Sequence, residues 1–219
     1  MTRIAIVGGH GNVARHLHPL LVAAGHTPVA LVRRDDYRAE LEGLGAEVRR
    51  LDIEQDEAAA FGRAFEGCHA VVFAAGGGPD GNLERKRTVD LEGALKTIEG
   101  ARLAGIWRVV QISAIGVDEP VDAGADPVWR AYVEAKRDAD AALRGSGLDY
   151  TILRPGRLTD AEPTGLVALA PETERGEIPR ADVAAVVAAV LDTGAGIGAQ
   201  LDLVGGTTPV VDAVANLTE

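Results

Sequence analysis

The sequence predicts a doubly wound α/β fold, in which a parallel sheet is covered by helices on both faces. Short β-branched runs alternate with longer segments of helical period, which is the pattern of successive β-α-β units. The strand segments are apolar at nearly every position rather than at every second one, which indicates burial on both faces. A length of 219 residues suits one such domain with a large core, so we interpret residues 1–219 as a single domain.

The individual elements follow from these runs in chain order. The first strand is predicted at residues 3–7 and the first helix at residues 12–24. The later strands are predicted at residues 28–32, 46–51, 70–75, 108–113, 150–153 and 200–204. The later helices are predicted at residues 36–44, 56–65, 83–104, 128–144 and 181–191. The run Gly76-Gly77-Gly78-Pro79 is predicted to break the chain after the fourth strand.

The ligand site is expected at one edge of the sheet, because ligands of doubly wound folds bind beyond the carboxyl ends of the strands. The least regular stretch of the chain, residues 159–179, is rich in Glu, Gly and Pro and is predicted to be a loop region. We therefore expect residues 155–180 to contribute a small substrate-side region to the domain.

The charge balance argues against nucleic acid and membrane partners. Lys and Arg total 22 against 33 Asp and Glu residues, which gives a formal net charge of −11. Phosphate backbones and anionic membrane surfaces repel so acidic a chain. No segment has the form of a signal peptide or of a membrane span, so a cytoplasmic location is the default expectation.

The cysteine and the histidines predict neither a disulfide nor a metal site. Cys68 is the only cysteine, and its place before an apolar run is typical of a small buried thiol. His16 and His18 are two residues apart on a predicted helix, so they point in different directions and do not form a metal-binding pair.

A glycine-rich turn follows the first predicted strand and opens the first predicted helix. In this position backbone N–H groups and the helix N-terminus can approach a pyrophosphate without obstruction by side chains. This arrangement is typical of a Rossmann fold that binds a dinucleotide, although an ordinary tight turn also contains glycines. The candidate cofactor-binding residues of the turn are Gly8, His10, Gly11, Asn12 and Val13.

The end of the second strand indicates which dinucleotide is bound. Arg33 and Arg34 stand where an NAD-binding protein places an acidic residue on the ribose hydroxyls, and guanidinium groups there suit a 2′-phosphate. The sequence therefore favours NADP over NAD. Asp35 and Asp36 follow immediately, so an acidic residue that reaches the ribose, or a solvated charge pair, remains the alternative.

Two residues after the third strand are candidates for the adenine end of the cofactor. Asp52 is placed to accept a hydrogen bond from the adenine amino group, and Ile53 to lie against the ring. The alternative for Asp52 is a charge at a helix N-terminus, which the sequence favours almost equally.

Tyr132 and Lys136 lie four residues apart on a predicted helix and therefore share a face. A Lys ammonium near a phenol lowers the pKa of the phenol, which would make Tyr132 a general acid or base. On spacing alone, a snorkelling lysine beside a half-buried tyrosine explains the pair as well. Ser113, at the carboxyl end of the preceding strand, adds a third polar group where the site is expected.

Together these residues resemble a known family. The chain is similar to the atypical short-chain dehydrogenase/reductases, and within them to the small NAD(P)H-binding, epimerase-like branch. The resemblance runs from the first strand to about Val204. It rests on the glycine turn, Arg33, Asp52, Ala74-Ala75-Gly76, Asp90, Ser113, Tyr132-x-x-x-Lys136 and the segment Leu148-Asp149-Tyr150-Thr151-Ile152-Leu153-Arg154-Pro155-Gly156.

The resemblance implies roles for these residues. It implies that Tyr132 transfers a proton, that Lys136 holds the nicotinamide ribose and tunes Tyr132, and that Ser113 orients the substrate oxygen. Asp90 stands where ordinary members carry an Asn that helps to relay protons, which puts an ordinary relay in doubt. The positions that the resemblance assigns to the cofactor are Ala74, Ala75, Gly76, Lys136, Pro155 and Gly156.

Two functions remain open at this level. One is an NADP-dependent oxidoreductase that acts on a small carbonyl or alcohol substrate, or a redox-neutral epimerase that uses the same chemistry transiently. The other is a non-catalytic NADP(H) sensor that changes its affinity for a partner with the redox state of the cofactor. The sequence names neither the substrate nor the oligomeric state, for which monomer and homodimer both stay open.

Overall fold

The computed structural model describes residues 2–78, 81–122 and 124–218. Pro79, the last residue of the predicted chain break, lies outside them. The strands are β1 (Arg3–Val7), β2 (Thr27–Val32), β3 (Glu47–Arg50), β4 (Ala70–Phe73), β5 (Arg108–Ile112), β6 (Asp149–Pro155), β7 (Arg157–Thr159), β8 (Leu166–Ala170), β9 (Glu177–Pro179), β10 (Ala199–Gly205) and β11 (Thr208–Pro209). The helices are α1 (Asn12–Ala23), α2 (Arg38–Gly43), α3 (Ala58–Ala64), α4 (Leu83–Arg85), α5 (Glu92–Leu103), α6 (Pro127–Arg144), α7 (Arg180–Thr193) and α8 (Val210–Ala215). A π-helical segment spans Lys86–Leu91, and 3₁₀ turns span Asp35–Tyr37 and Asn216–Thr218.

The central sheet confirms the predicted fold class. Within the described residues it has nine strands, in the order β11-β8-β10-β6-β5-β4-β1-β2-β3. The strands from β3 across to β10 pair in parallel. At the other edge, β8 pairs antiparallel with β10, and β11 pairs antiparallel with β8. Val7 at the end of β1 is in register with Leu31 of β2 and with Phe73 of β4. The chain therefore reverses its direction across the sheet at β1, and the crevice beyond these strand ends is the expected ligand site.

Alternate residues of β1 face two cores, as the period of a strand requires. Ile4 and Ile6 belong to a cluster with residues of α1, α7 and α8, whereas Ala5 and Val7 belong to a cluster with residues of α3, α5 and α6. Leu17 of α1 is completely buried in the first cluster. Truncation of such a side chain to Ala costs about 2 to 5 kcal/mol of stability, which shows how firmly these layers fix the strand ends.

The interpretation of residues 159–179 as a loop region is wrong in part. The five residues of β8 join the central sheet antiparallel to β10, and β9 pairs in parallel with β7 in a separate two-stranded sheet. Val167 of β8 and Ile178 of β9 are both fully buried, and this burial stabilises the two short strands. The glycine and proline residues around these two strands led to the prediction of a loop.

The prediction of one continuous helix over residues 83–104 is also wrong in part. Only Leu83–Arg85 and Glu92–Leu103 are α-helical, and the π-helical segment Lys86–Leu91 lies between them. A π-helical turn is wider than an α-helical one and is frequent at functional sites. Here it brings Lys86 and Asp90 into the interior of the protein, where both are buried.

The chain continues past the predicted last strand with β11 and α8, which cover the edge formed by β8. Across the described residues, no helix combines the length and the apolar character that crossing a membrane requires.

Candidate functional site

The glycine turn after β1 has the geometry of an anion cradle. Gly8 has a φ of +80°, and the N–H of Gly11 donates to the Gly8 carbonyl over 2.8 Å, which closes the turn. Gly11 is the N-cap of α1 and supplies no side-chain hydrogen bond, and the first turn of α1 contains no acidic residue. The first N–H groups of α1, those of Asn12 and Val13 included, therefore have no side-chain acceptor at the helix end and suit a phosphate.

Close packing beneath this turn requires Gly9. A Cβ atom at this position would lie 2.8 Å from the Cα of Ala30 and 2.9 Å from the nitrogen of Leu31. The N–H of Gly9 donates to the Leu31 carbonyl over 3.1 Å. His18 of α1 is fully buried and donates from Nε2 to the Gly9 carbonyl over 2.7 Å, so the turn is held from both the sheet and the helix.

A first cavity of about 310 Å³ lies beside the turn, at the carboxyl ends of β2, β3 and β4. Its described lining comprises Gly8, His10, Gly11, Leu31, Val32, Arg33, Tyr37, Leu51, Asp52, Ile53, Glu54, Ala74, Ala75, Gly76, Arg85 and Val89. Most of the residues predicted for the adenosine end of the cofactor therefore surround one cavity.

The two predicted arginines differ in position. Arg33 lines the first cavity, and its guanidinium lies 3.9 Å from a carboxylate oxygen of Glu54. The guanidinium of Arg34 lies 4.8 Å from the centre of the Tyr37 ring and donates to the Tyr37 hydroxyl. The structure thus places Arg33 in the described cavity wall and Arg34 against Tyr37, outside the described lining.

His10 and Tyr37 form an aromatic stack at the cavity wall. Their ring centres lie 3.6 Å apart with an angle of 7° between the planes, and His10 Nε2 lies 2.9 Å from a carboxylate oxygen of Glu40. Tyr37 was missed in the sequence, where its position in a charged stretch after the second strand gave no signal of a functional role.

Asp52 and Ile53 both line the first cavity. Asp52 Oδ1 accepts from the N–H groups of Glu54 and Gln55 over 3.0 and 3.3 Å. The carboxylate of Asp52 therefore caps the turn after β3 rather than the N-terminus of α3, which begins at Ala58 after the N-cap Glu57. Its role toward the adenine stays a prediction.

A second cavity of about 660 Å³ adjoins the first. The two share Gly11, Ala74, Ala75 and Gly76 in their walls. The further described residues of the second lining are Asn12, Val13, Gly77, Gly78, Lys86, Asp90, Ile112, Ser113, Asp126, Val128, Trp129, Tyr132, Lys136, Leu158 and Arg180. The catalytic candidates Ser113, Tyr132, Lys136 and Asp90 therefore all border the same space.

Lys136 is a buried cation with a fixed environment. It is 4% exposed, and Nζ donates to the Ile112 carbonyl over 3.2 Å and lies 3.3 Å from Asp90 Oδ1. Burial is the largest single effect and lowers the pKa of Lys136, but the charges of Asp90, Tyr132 and Asp140, together with the hydrogen bond to Asp90, outweigh it and the pKa is raised. Asp90 Oδ2 accepts from the N–H of Gly77 over 2.9 Å, so one carboxylate connects the lysine to the loop after β4.

Tyr132 is half-buried between an aromatic ring and a cation. Its ring centre lies 5.6 Å from that of Trp129 and 5.7 Å from Nζ of Lys86. Burial raises the pKa of Tyr132, and the opposing effect of the Lys136 charge is smaller. The sequence-based expectation of a lowered pKa is therefore wrong for this state of the protein, because burial outweighs the ammonium.

Ser113 donates its hydroxyl hydrogen to Asp140 Oδ2 over 2.9 Å. Asp140 is fully buried and also accepts from Gln111 Nε2 over 2.7 Å and from Arg154 Nε over 2.9 Å. The Ser113 oxygen keeps its lone pairs but directs its hydrogen into the protein interior. Sequence reasoning missed Asp140, although its place four residues after Lys136 on α6 is a signal that it shares that face.

Pro155 and Gly156 lie at the carboxyl end of β6. The Pro155 carbonyl accepts from Ile115 N over 3.0 Å, and the Gly156 N–H donates to the Leu203 carbonyl over 2.9 Å. Of the segment that follows β6, Leu158 reaches the described wall of the second cavity. The role of Pro155 and Gly156 toward the cofactor stays a prediction.

A scan against protein families matches residues 8–194 of the chain to the family described as NAD(P)H-binding. The chain belongs to the NAD(P)H-binding family. The matched residues include the glycine turn, both cavities and the helix α6, which carries Tyr132 and Lys136.

Relatives of this NAD(P)H-binding protein agree with the assignment. An uncharacterized sugar epimerase of Bacillus subtilis, YhfK, is 37% identical over 98% of this chain and 100% of its own. A solved Bacillus halodurans structure, assigned by name as an NAD-dependent epimerase/dehydratase, has a TM-score of 0.92 and 39% identity over 99% of this chain and 100% of that one. The oxidoreductase YlbE of Lactococcus lactis has a TM-score of 0.85 and 25% identity over 99% of this chain and 96% of that one. The resemblance to atypical short-chain dehydrogenase/reductases is thereby confirmed, and the relatives of this family member are named as epimerases and as an oxidoreductase.

Within the part of the chain that the structure describes, no three His, Cys, Asp or Glu side chains group as a metal site would require.

Proposed function

We propose that this NAD(P)H-binding protein is an NADP(H)-dependent enzyme that interconverts a small carbonyl compound and its alcohol in the second cavity. The observation that carries the proposal is the continuity of the two cavities, which share four wall residues. A dinucleotide is long enough to need both spaces, with its pyrophosphate at the glycine turn between them. The nicotinamide end of the dinucleotide would then face the wall of the second cavity that holds Tyr132 and Lys136.

The residues present fit this cofactor. The uncapped N-terminus of α1 offers backbone donors to the pyrophosphate, and Arg33 offers a guanidinium to a 2′-phosphate in the first cavity. The cation at Arg33 favours NADP(H) over NAD(H). NADPH, when bound, supplies a hydride for the carbonyl carbon of the substrate.

Tyr132 supplies the proton that completes the reduction. Its raised pKa keeps the hydroxyl protonated near neutral pH, so Oη donates a proton to the carbonyl oxygen as the carbonyl carbon gains its C–H bond. The product is an alcohol. The tyrosinate that remains at Tyr132 is stabilised by the positive charge of Lys136. The reverse reaction uses the tyrosinate as the base.

Lys136 and Ser113 have supporting roles in this scheme. Lys136 keeps its charge because Asp90 raises its pKa, and it holds a fixed position through the Ile112 carbonyl. Ser113 directs its hydrogen to Asp140, so its oxygen presents lone pairs rather than a donor to the cavity. In this state Ser113 therefore suits an alcohol substrate, whose hydroxyl donates, better than a carbonyl.

The experiment that tests this function measures NADPH consumption with a panel of small carbonyl compounds. Tyr132→Phe removes only the proton donor, and we expect a loss of about 10²- to 10⁴-fold in rate with NADPH binding retained. Tyr150→Phe is the matched control, since Tyr150 lies on β6 against the α3, α5 and α6 core. A Tyr132→Phe variant as active as Tyr150→Phe would remove Tyr132 from the mechanism.

A second candidate, a non-catalytic NADP(H) sensor, is favoured by one observation. The hydroxyl of Ser113 and the ammonium of Lys136 are both engaged by buried carboxylates, those of Asp140 and Asp90. A sensor would bind NADPH and NADP⁺ with different affinities and turn over no carbonyl. Calorimetric titration with both cofactors, beside the activity panel, separates it from an enzyme.

A further inference from the structure

Lys86 is a second buried lysine at the wall of the second cavity. It begins the π-helical segment, is 6% exposed, and donates from Nζ to the Gly78 carbonyl. The same ammonium lies 5.7 Å from the centre of the Tyr132 ring. A cation therefore borders the tyrosine that the proposed reaction uses.

The ammonium of Lys86 differs from that of Lys136 in its charge partners. Lys136 lies 3.3 Å from Asp90 Oδ1, whereas no carboxylate of the described residues lies within ion-pair distance of Lys86. A buried charge without a counter-charge is unfavourable, and a hydrogen bond to one carbonyl offsets only part of that cost. Among the described residues, the buried ionic side chains of the cavity wall thus carry one positive charge without a carboxylate partner.

The location of Lys86 shows which of the two cavities contains this charge. Lys86 lines the second cavity, while the first cavity has Arg33 and Arg85 in its described wall. The pyrophosphate position, at the start of α1, is served by backbone donors. The ammonium of Lys86, which has no carboxylate partner in the described part of the chain, consequently lies at the reactive end, beside Tyr132.

From this geometry we infer that the substrate carries an anionic group, a carboxylate or a phosphate, that the ammonium of Lys86 binds next to the reacting carbon. The inference rests on the proposed function for the identity of the reacting group, but the anion site itself is defined by Lys86 and the cavity. A charge-assisted contact of this kind would select the anion over a neutral analogue of the same shape.

The test is calorimetric titration of the protein, with and without saturating NADP⁺, with two matched pairs of ligands. One pair is phenylglyoxylate and its methyl ester, and the other is dihydroxyacetone phosphate and dihydroxyacetone. We expect at least one anion to bind about tenfold or more tightly than its neutral partner. Equal affinity within both pairs, or binding of neither anion, overturns the inference.

Lys86→Met keeps an unbranched side chain that is one atom shorter and removes its charge, and we expect it to abolish the preference for the anion. Arg87→Met is the matched control, because it removes one positive charge at the next position from a side chain that pairs with Glu84 and Glu92 at the surface. The control should keep the preference. A Lys86→Met variant that binds the anion as the unmodified protein does overturns the inference.

Two further outcomes have defined meanings. If Lys86→Met loses NADP⁺ affinity and retains the anion preference, Lys86 binds a cofactor phosphate and the inference is wrong. If Lys86→Met does not fold, Lys86→Gln is titrated in its place. The preference of the unmodified protein for the anion in each ligand pair still tests the inference, because that measurement needs no variant. Anion selectivity that depends on Lys86 without turnover of any carbonyl would contradict the proposed function and leave the anion site standing.

Discussion

Asp90 and Lys136 form a buried ion pair between the π-helical segment and α6, with Oδ1 3.3 Å from Nζ. The other carboxylate oxygen of Asp90 accepts from Gly77 N over 2.9 Å. One side chain therefore sets the position of the lysine and of the loop that borders both cavities. The carboxylate of Asp90 acts here as a counter-charge, which helps to keep Lys136 protonated although it is buried.

The Asp90→Asn substitution should destabilise the protein strongly. It keeps an acceptor for Gly77 but leaves the Lys136 ammonium buried without its counter-charge, which typically costs about 3 to 5 kcal/mol. The free energy of unfolding, measured with urea, checks this. Asp138→Asn on α6 is the control, because Asp138 is exposed, and it should change stability by less than about 0.5 kcal/mol. Equal stability of the two variants would mean that the ion pair contributes nothing.

Arg33 and Arg34 should differ in their effect on cofactor choice. Arg33 lines the first cavity, whereas Arg34 lies against Tyr37, so Arg33 is the one of these two arginines that is placed to contact a 2′-phosphate. We expect Arg33→Ala to weaken NADPH binding by about tenfold to a hundredfold and to leave NADH binding nearly unchanged. Arg34→Ala, measured in the same fluorescence titration, should retain the preference. Parallel losses for both cofactors in Arg33→Ala would contradict NADP selection by this residue.

The close packing of the glycine turn predicts a contrast between two glycines. A methyl group at Gly9 would meet Ala30 Cα at 2.8 Å and Leu31 N at 2.9 Å, both of them backbone atoms, whereas at Gly43 of α2 nothing lies within 4 Å. Gly9→Ala should therefore lower stability by about 1 to 3 kcal/mol and weaken NADPH binding. Gly43→Ala should raise stability by up to about 1 kcal/mol. Thermal unfolding with and without NADPH measures both effects, and a neutral Gly9→Ala would show that the turn can shift.

The sequence predicted the parts of this fold that local patterns determine. Apolar runs of four to six residues marked the parallel strands except β3, whose segment Glu47–Arg50 is mostly charged, and the glycine turn after β1 indicated the cofactor cradle. The π-helical segment was missed because six residues of π-helix have nearly the same hydrophobic pattern as α-helix. The burial of Lys86 was missed for the same reason, because the predicted regular α-helix gave no indication that a lysine in this charged segment is buried.

The polar network behind the site depends on contacts between distant elements. Asp140 on α6 meets Arg154 on β6 and Gln111 on β5, and no spacing within one helix or strand encodes such a meeting. The direction of the Tyr132 pKa shift was missed because burial, which the sequence does not show, outweighs the neighbouring lysine. Local chemistry thus identified the candidate residues, and tertiary packing determined their protonation and partners.

His18 should make stability depend on pH through the glycine turn. Burial lowers the pKa of His18, the hydrogen bond to Gly9 opposes this, and the charge of His10 lowers it further. Because its pKa is lower in the folded protein, the unfolded chain takes up a proton near pH 6.5 that the folded protein does not. The stability due to neutral His18 is therefore fully present above about pH 6.5 and is lost as the pH falls toward the folded pKa.

Urea unfolding between about pH 5 and pH 8 measures this contribution. The slope of stability against pH can reach about 1.4 kcal/mol per pH unit for one such group, and His18→Gln should remove it while offering a donor to the Gly9 carbonyl. His16→Gln on the exposed side of α1 is the matched control and should retain the slope. If His18→Gln and the unmodified protein lose stability in parallel on acidification, His18 titrates in the folded state as it does in the unfolded chain, and its burial beneath the turn has no effect on protonation.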